Sequence, residues 1–222
     1  MIASTEGILD GIKEKQDFAQ PLRMAARIVS YLFHPLFVPI YVCLFFLYEA
    51  RLFPDKTDWQ KTIVLIQFFI YYTLLPLMTV LLSRGLGFVS SVHLKTQRDR
   101  IIPFIVCEIF YFWAWYVFKN LHFHKLVVMF GLAVFLACSL GLILNSFLKI
   151  SMHAISVGVV SALLFIAGMT TDMSFGIYIC IGLLMAGLTA TARLIDSNHT
   201  EKEIYMGFFV GVLCQLVAYY FV

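Results

Sequence analysis

Residues 153–192 read HAISVGVVSALLFIAGMTTDMSFGIYICIGLLMAGLTATA, and Asp172 is the one side chain among them charged at neutral pH. Two apolar runs, 153–171 and 174–192, flank it. A helix rises 1.5 Å per residue and needs about 20 residues to cross a hydrocarbon core about 30 Å thick. The stretch therefore predicts two transmembrane helices joined by a tight hairpin at Thr171, Asp172 and Met173. Lipid offers no hydrogen bonds, so a spanning backbone must satisfy its own polar groups, and a helix does so within one segment.

The same signature recurs outward from this pair, at 29–50, 62–83, 101–119, 126–148 and 204–221, giving seven expected spans. Composition agrees. The chain is 61% hydrophobic and 13% charged, where a soluble domain carries about 25% charged residues. The expected fold is an all-α polytopic helical membrane protein, with one transmembrane domain over 29–222 behind an N-terminal interfacial segment, 1–28. Within that segment, 18–28 (FAQPLRMAARI) has the character of an amphipathic helix lying on the membrane surface. Residues 1–28 mix both signs of charge and the first apolar run lacks a small-residue cleavage pattern, so no cleavable signal is expected.

Cys43, Cys107, Cys138, Cys180 and Cys214 all lie in apolar runs without C-x-x-C spacing. They read as small hydrophobes rather than as a disulfide or metal framework. The net charge of +3 is modest, with no basic tail and no nucleic-acid motif. No G-x-S-x-G motif is present, which argues against a serine hydrolase of that type.

Polar residues gather in three places. The first is HLKTQRDRIIP, 93–103, where Lys95, Arg98 and Arg100 precede Pro103 at the expected start of a span. Fixed cations at a helix mouth hold a phosphate, arginine bidentately, although a basic flank that orients the protein is the plainer reading. The second is KISMHA, 149–154, with Ser151 at an N-cap position and His153 in the first turn. Free backbone N–H groups there suit an anion, and the imidazole suits proton donation; a capping serine beside an interfacial histidine is the bland alternative. The third is ARLIDSNHTEKE, 192–203. His199 and Glu203 stand four residues apart, on one face of a helix. A carboxylate on one imidazole nitrogen fixes the tautomer and leaves the other nitrogen free to attack. Arg193 precedes them, and Gly207 and Gly211 follow as G-x-x-x-G, a spacing that lets a neighbouring helix approach closely. Two expected spans separate each cluster from the next, so all three return to one side of the membrane.

Other polar residues invite weaker readings. His34, with Pro35 and Pro39, suggests a kinked first span. Glu108 and Asn145 lie inside spans and need a cavity or a partner. His122 and His124 resemble a metal pair only in spacing and fall on the side opposite the clusters. The aromatic run 111–118, YFWAWYVF, suggests a membrane-boundary belt.

Arg193-x5-His199-x3-Glu203 resembles the third signature of the type 2 phosphatidic acid phosphatase superfamily, S-R-x5-H-x3-D, with alanine and glutamate in place of serine and aspartate. Ser151-Met152-His153 resembles the end of its second signature, P-S-G-H. The first signature, K-x6-R-P, is the poorest match: Lys95 would demand arginine at position 102, where isoleucine stands, and Arg100 would put His93 in the lysine's place. The resemblance spans roughly residues 93–211. It implies a six-helix-like phosphatase core and an enzyme that needs neither metal nor cofactor. His199 would be the nucleophile that forms a phosphohistidine, Glu203 its orienting group and His153 the general acid. Arg193, Ser151, Arg100, Lys95 and Arg98 would surround the phosphate of a lipid phosphate or polyprenyl diphosphate. A lipid carrier or flippase, or a lipid phosphotransferase, on the same scaffold would carry the same residues. On the expected spans, the clusters share their side with the N-terminus and eleven of the 16 Lys and Arg residues. That bias places them in the cytoplasm, while many relatives of this kind work on the outer face. The inner membrane of a bacterium is the expected location.

Overall fold

A computed structural model of the chain describes residues 18–89, 97–171, 174–196 and 199–222. Residues 90–96 of the expected 84–100 loop, Lys95 among them, Asp172 and Met173 of the hairpin, and residues 1–17 of the N-terminal segment lie outside the described residues.

All secondary structure among the described residues is helical. In chain order the helices are α1 (Gln20–Leu32), α2 (Val38–Glu49), α3 (Asp58–Gly85), α4 (Gln97–Asn120), α5 (Lys125–Asn145), α6 (Met152–Thr170), α7 (Gly176–Asp196) and α8 (Glu201–Phe221). Six of them, α3 to α8, are long and apolar enough to cross a membrane.

The expected first span, 29–50, is not one helix. It breaks between α1 and α2 at residues 33–37. Pro35 has no N–H to donate and pushes the residue before it out of the helical region. That residue is His34, whose Nδ1 accepts the Leu36 N–H at 3.3 Å and closes the turn. Pro39 then falls in the first turn of α2, where a missing N–H costs nothing. The last five residues of α2, Phe45–Glu49, widen into a π turn, and α3 carries another at Ile70–Leu74. Pro76 follows the second: it cannot donate to a carbonyl one turn back, and the wider turn accommodates the missing bond.

Local chemistry also sets the helix starts. Thr57 and Gln60 form a reciprocal capping box at α3, and Thr200 and Glu203 form another at α8; such caps contribute about 1 kcal/mol each. α4 begins at or before Gln97, so Pro103 lies inside the helix rather than in its opening turn. Arg98 and Arg100 consequently project from helix, not from loop.

Burial sorts the helices. Of the most apolar stretches of α5 and α6, 61% and 67% of residues are buried, against 22% for α4 and α7. α5 and α6 form the centre, and the others turn residues such as Ile109, Leu184 and Phe209 outward to where lipid would lie. α8 packs along α6 more extensively than any other pair meets. The fit is backbone on backbone. A Cβ on Gly211 would strike the carbonyl of Ile155, one on Gly158 would strike that of Phe208, and one on Gly207 would come within 2.8 Å of the Ser151 carbonyl. The G-x-x-x-G of α8 thus seats against the very turn of α6 that carries Ser151 and His153.

The other half of the core is aromatic. Phe68 stacks on Phe118 at 5.0 Å between centroids, and Tyr72 on Tyr111 at 5.5 Å. The run 111–118 is therefore split: Tyr111 and Phe118 face inward, while Trp113 and Tyr116 remain exposed.

Candidate anion site at one end of the bundle

The loop before α8 and the ends of α4, α6 and α7 meet at one end of the molecule. Arg193 stands in the last turn of α7, since that helix runs on to Asp196 rather than stopping at 192. His199 lies just before α8, with a side chain only 4% exposed, and its Nδ1 is 3.0 Å from Oε2 of Glu203. The same carboxylate oxygen accepts the Thr200 backbone N–H at 3.0 Å. One glutamate therefore caps the helix and anchors the imidazole. A neutral His199 donates Nδ1–H to the carboxylate and keeps a lone pair on Nε2.

Arg100, buried in α4, sends Nη1 across to the carbonyl of Ile150, 3.0 Å away. That contact pins the strand of chain that enters α6. Ser151 caps α6 by accepting the Ala154 N–H at 3.4 Å and is itself fully buried. His153 Nε2 lies 3.1 Å from the carbonyl of Ser30 in α1. A carbonyl only accepts, so Nε2 carries the hydrogen and Nδ1 is left for other partners.

Electrostatics ties these pieces together. Arg193 and Arg100 both act on His199, and Arg193 and His199 both act on His153. Glu203 acts on Arg100. Burial holds the His199 imidazole below its ordinary value of 6.5, the hydrogen bond to Glu203 pulls it back up, and the two guanidinium groups push it down again. The net effect favours the neutral ring.

Of the residues singled out from sequence, Arg100, Ser151, His153, Arg193, His199 and Glu203 come together. Arg98 does not: it is exposed on α4 and makes none of these contacts. Lys95 lies outside the described residues. Two members were not singled out as site residues. Lys149 feels Arg100, Glu203 and Arg193; burial first, then Arg100, lower its amine, and Glu203 opposes them. Its sequence signal was its place in KISMH, two residues before the capping serine. His34 meets His153 edge-on, with centroids 5.1 Å apart and planes at 88°. Only the proline that follows it hinted at a turn, and nothing in the sequence linked that turn to α6. Among the described residues no group of three or more His, Cys, Asp or Glu gathers where it would hold a metal ion. The donor set is cationic and imidazole-rich, which suits an oxyanion.

Comparison with protein-family models, with curated proteins and with solved structures gave no match.

Proposed function

We propose that this chain is an integral membrane phosphatase that cleaves lipid phosphates through a phosphohistidine. The observation that carries the proposal is the His199–Glu203 pair, set among Arg193, Arg100 and Lys149 and within electrostatic reach of a second imidazole, His153. The resemblance to the type 2 phosphatidic acid phosphatase signatures supports the same reading.

In the proposed reaction, Nε2 of His199 attacks phosphorus in line with the ester oxygen. A nitrogen–phosphorus bond forms as the phosphorus–oxygen bond breaks. His153 enters the reaction as the imidazolium, its Nε2–H committed to the Ser30 carbonyl, and delivers its Nδ1 proton to the departing alkoxide. Arg193 and Arg100, with Lys149, offset the charge that builds on the non-bridging oxygens. Glu203 stabilises the imidazolium that results. His153, now neutral, takes a proton from water as that water attacks the phosphohistidine. Inorganic phosphate leaves and both rings regain their starting state.

Purified protein in detergent is expected to release phosphate from lipid phosphates without added metal. His199→Ala should lower that release at least ~10³-fold, since it removes the nucleophile. Retained turnover in that variant would overturn the mechanism. Transfer of the phosphate to added alcohol, in place of hydrolysis, would assign the same histidine chemistry to a phosphotransferase.

A further inference from the structure

An apolar cavity of about 80 Å³ opens directly beneath the site, between α2, α4, α5 and α6. Its upper wall is one short step from three site positions. Phe104 is one helical turn below Arg100, Ile155 one turn below Ser151, and Pro35 is next to His34. Tyr111 and Phe130 line its far end. The seven residues from Phe104 to Tyr111 give a depth of about 10 Å at 1.5 Å per residue.

We propose that this cavity is the slot for one hydrocarbon chain, so that the site takes single-chain lipid phosphates, such as prenyl or alkyl phosphates, and disfavours diacylglycerol phosphates. This rests on the phosphatase reading above. An anion held by Arg193 and Arg100 with an apolar shaft below it is the complement of an anionic amphiphile. At about 80 Å³ the cavity has no room for two hydrocarbon chains side by side, so it admits one. Its upper wall presents Pro35, Phe104, Met152 and Ile155. These four side chains cannot hydrogen-bond the two ester carbonyls that a glycerolipid carries close to its phosphate, and the neighbouring Ser156 has one hydroxyl proton to donate, so at least one carbonyl would be buried without a partner at a cost. A prenyl or alkyl chain is apolar from its first carbons and meets no such cost.

The test uses purified full-length protein and four substrates: an alkyl phosphate series of increasing length, a farnesyl phosphate, a dioleoyl phosphatidate and water-soluble phenyl phosphate. Along the alkyl series kcat/KM should rise up to about fourfold per methylene, the transfer free energy of a buried CH₂, until the slot is filled, and then level off. Farnesyl phosphate should exceed the phosphatidate at least tenfold. Ala137→Leu and Ser156→Leu, which narrow the slot from α5 and α6, should flatten the length dependence and leave phenyl phosphate turnover within about twofold, as expected when only uniform binding is lost. Phosphatidate cleaved as well as farnesyl phosphate, or a length dependence unchanged in both variants, would overturn the proposal. A photoactivatable alkyl phosphate reports on the slot without catalysis. Crosslinks mapped to Phe104, Tyr111 or Val159 support it; crosslinks confined to the lipid-facing outside of the bundle overturn it. Crosslinks in the slot with no turnover of any substrate would sink the phosphatase reading and leave the chain-binding slot standing.

Discussion

The two ends of the bundle carry similar residues in opposite circumstances. The loops before α3 and α5, with the helix ends that flank them, hold Lys56, Lys119, Lys125, His122 and His124. Their cations lie over ring faces: Lys119 is 5.2 Å from the Trp115 ring and Lys56 is 5.9 Å from that of Phe123. His124 spends its Nδ1 on capping α5. At the other end Arg100 and His199 are nearly sealed from solvent and converge with Arg193 and His153. Sequence composition does not separate the two groups; desolvation and convergence do. An exposed cation on a ring contributes under about 1 kcal/mol, whereas a cation taken out of water needs strong polar partners, such as the Ile150 carbonyl that Arg100 reaches.

Five substitutions break or sharpen that contrast. The largest effect belongs to the two histidine-bearing loops. His199→Ala should remove at least ~10³-fold of phosphate release, while His122→Ala at the opposite end should leave it within about twofold. Equal losses in the two variants would erase the distinction. Next comes Gly211→Leu, which forces a side chain into the Ile155 carbonyl. It should lower stability by at least about 2 kcal/mol and move the His199 helix away from His153. Thermal unfolding in detergent reads the first effect, and phosphate release by the folded fraction reads the second. A wild-type melting temperature would show that α6 and α8 do not meet through backbone.

The third concerns pH. In the proposed reaction neutral His199 is the attacking form, and its imidazole is lowered from 6.5. The acid limb of kcat/KM that follows this ring should therefore lie below pH 6.5. Glu203 raises the ring, so Glu203→Gln should move that limb to lower pH while reducing the plateau about tenfold, because the imidazolium loses its carboxylate. A limb that moves upward would contradict the sign. The smallest effect is expected of Lys56→Ala, which should change stability by less than about 0.5 kcal/mol and turnover not at all. A larger change in either would give the far end a role that its exposure argues against.

Much of the architecture was legible because membrane insertion is a local matter. Length and apolarity mark a crossing without reference to any other segment, and the runs around Asp172, Lys125 and Glu203 all became helices near the bounds the pattern suggests. The failure at 29–50 is equally local in origin. Pro35 outweighed the hydropathy of the run, and a window average does not register a missing N–H group. The i,i+4 pair of His199 and Glu203 was readable because it is local, but His199 precedes α8 rather than sharing a helix face, and the cap at Thr200 brings the two together. The contact of Arg100 with Ile150 and of His34 with His153 was not, because each joins residues fifty or more apart.

By itself, the sequence determined that this is a chain of apolar helices with three polar clusters on one side, since rise per residue and the cost of bare polar backbone in lipid act on each segment alone. Tertiary structure decided which cations face inward, that Arg98 stays outside while Lys149 and His34 join, and that an apolar cavity lies beneath the cluster. Those outcomes depend on how closely α6 and α8 pack through their glycines, and packing distance is a property of two surfaces together.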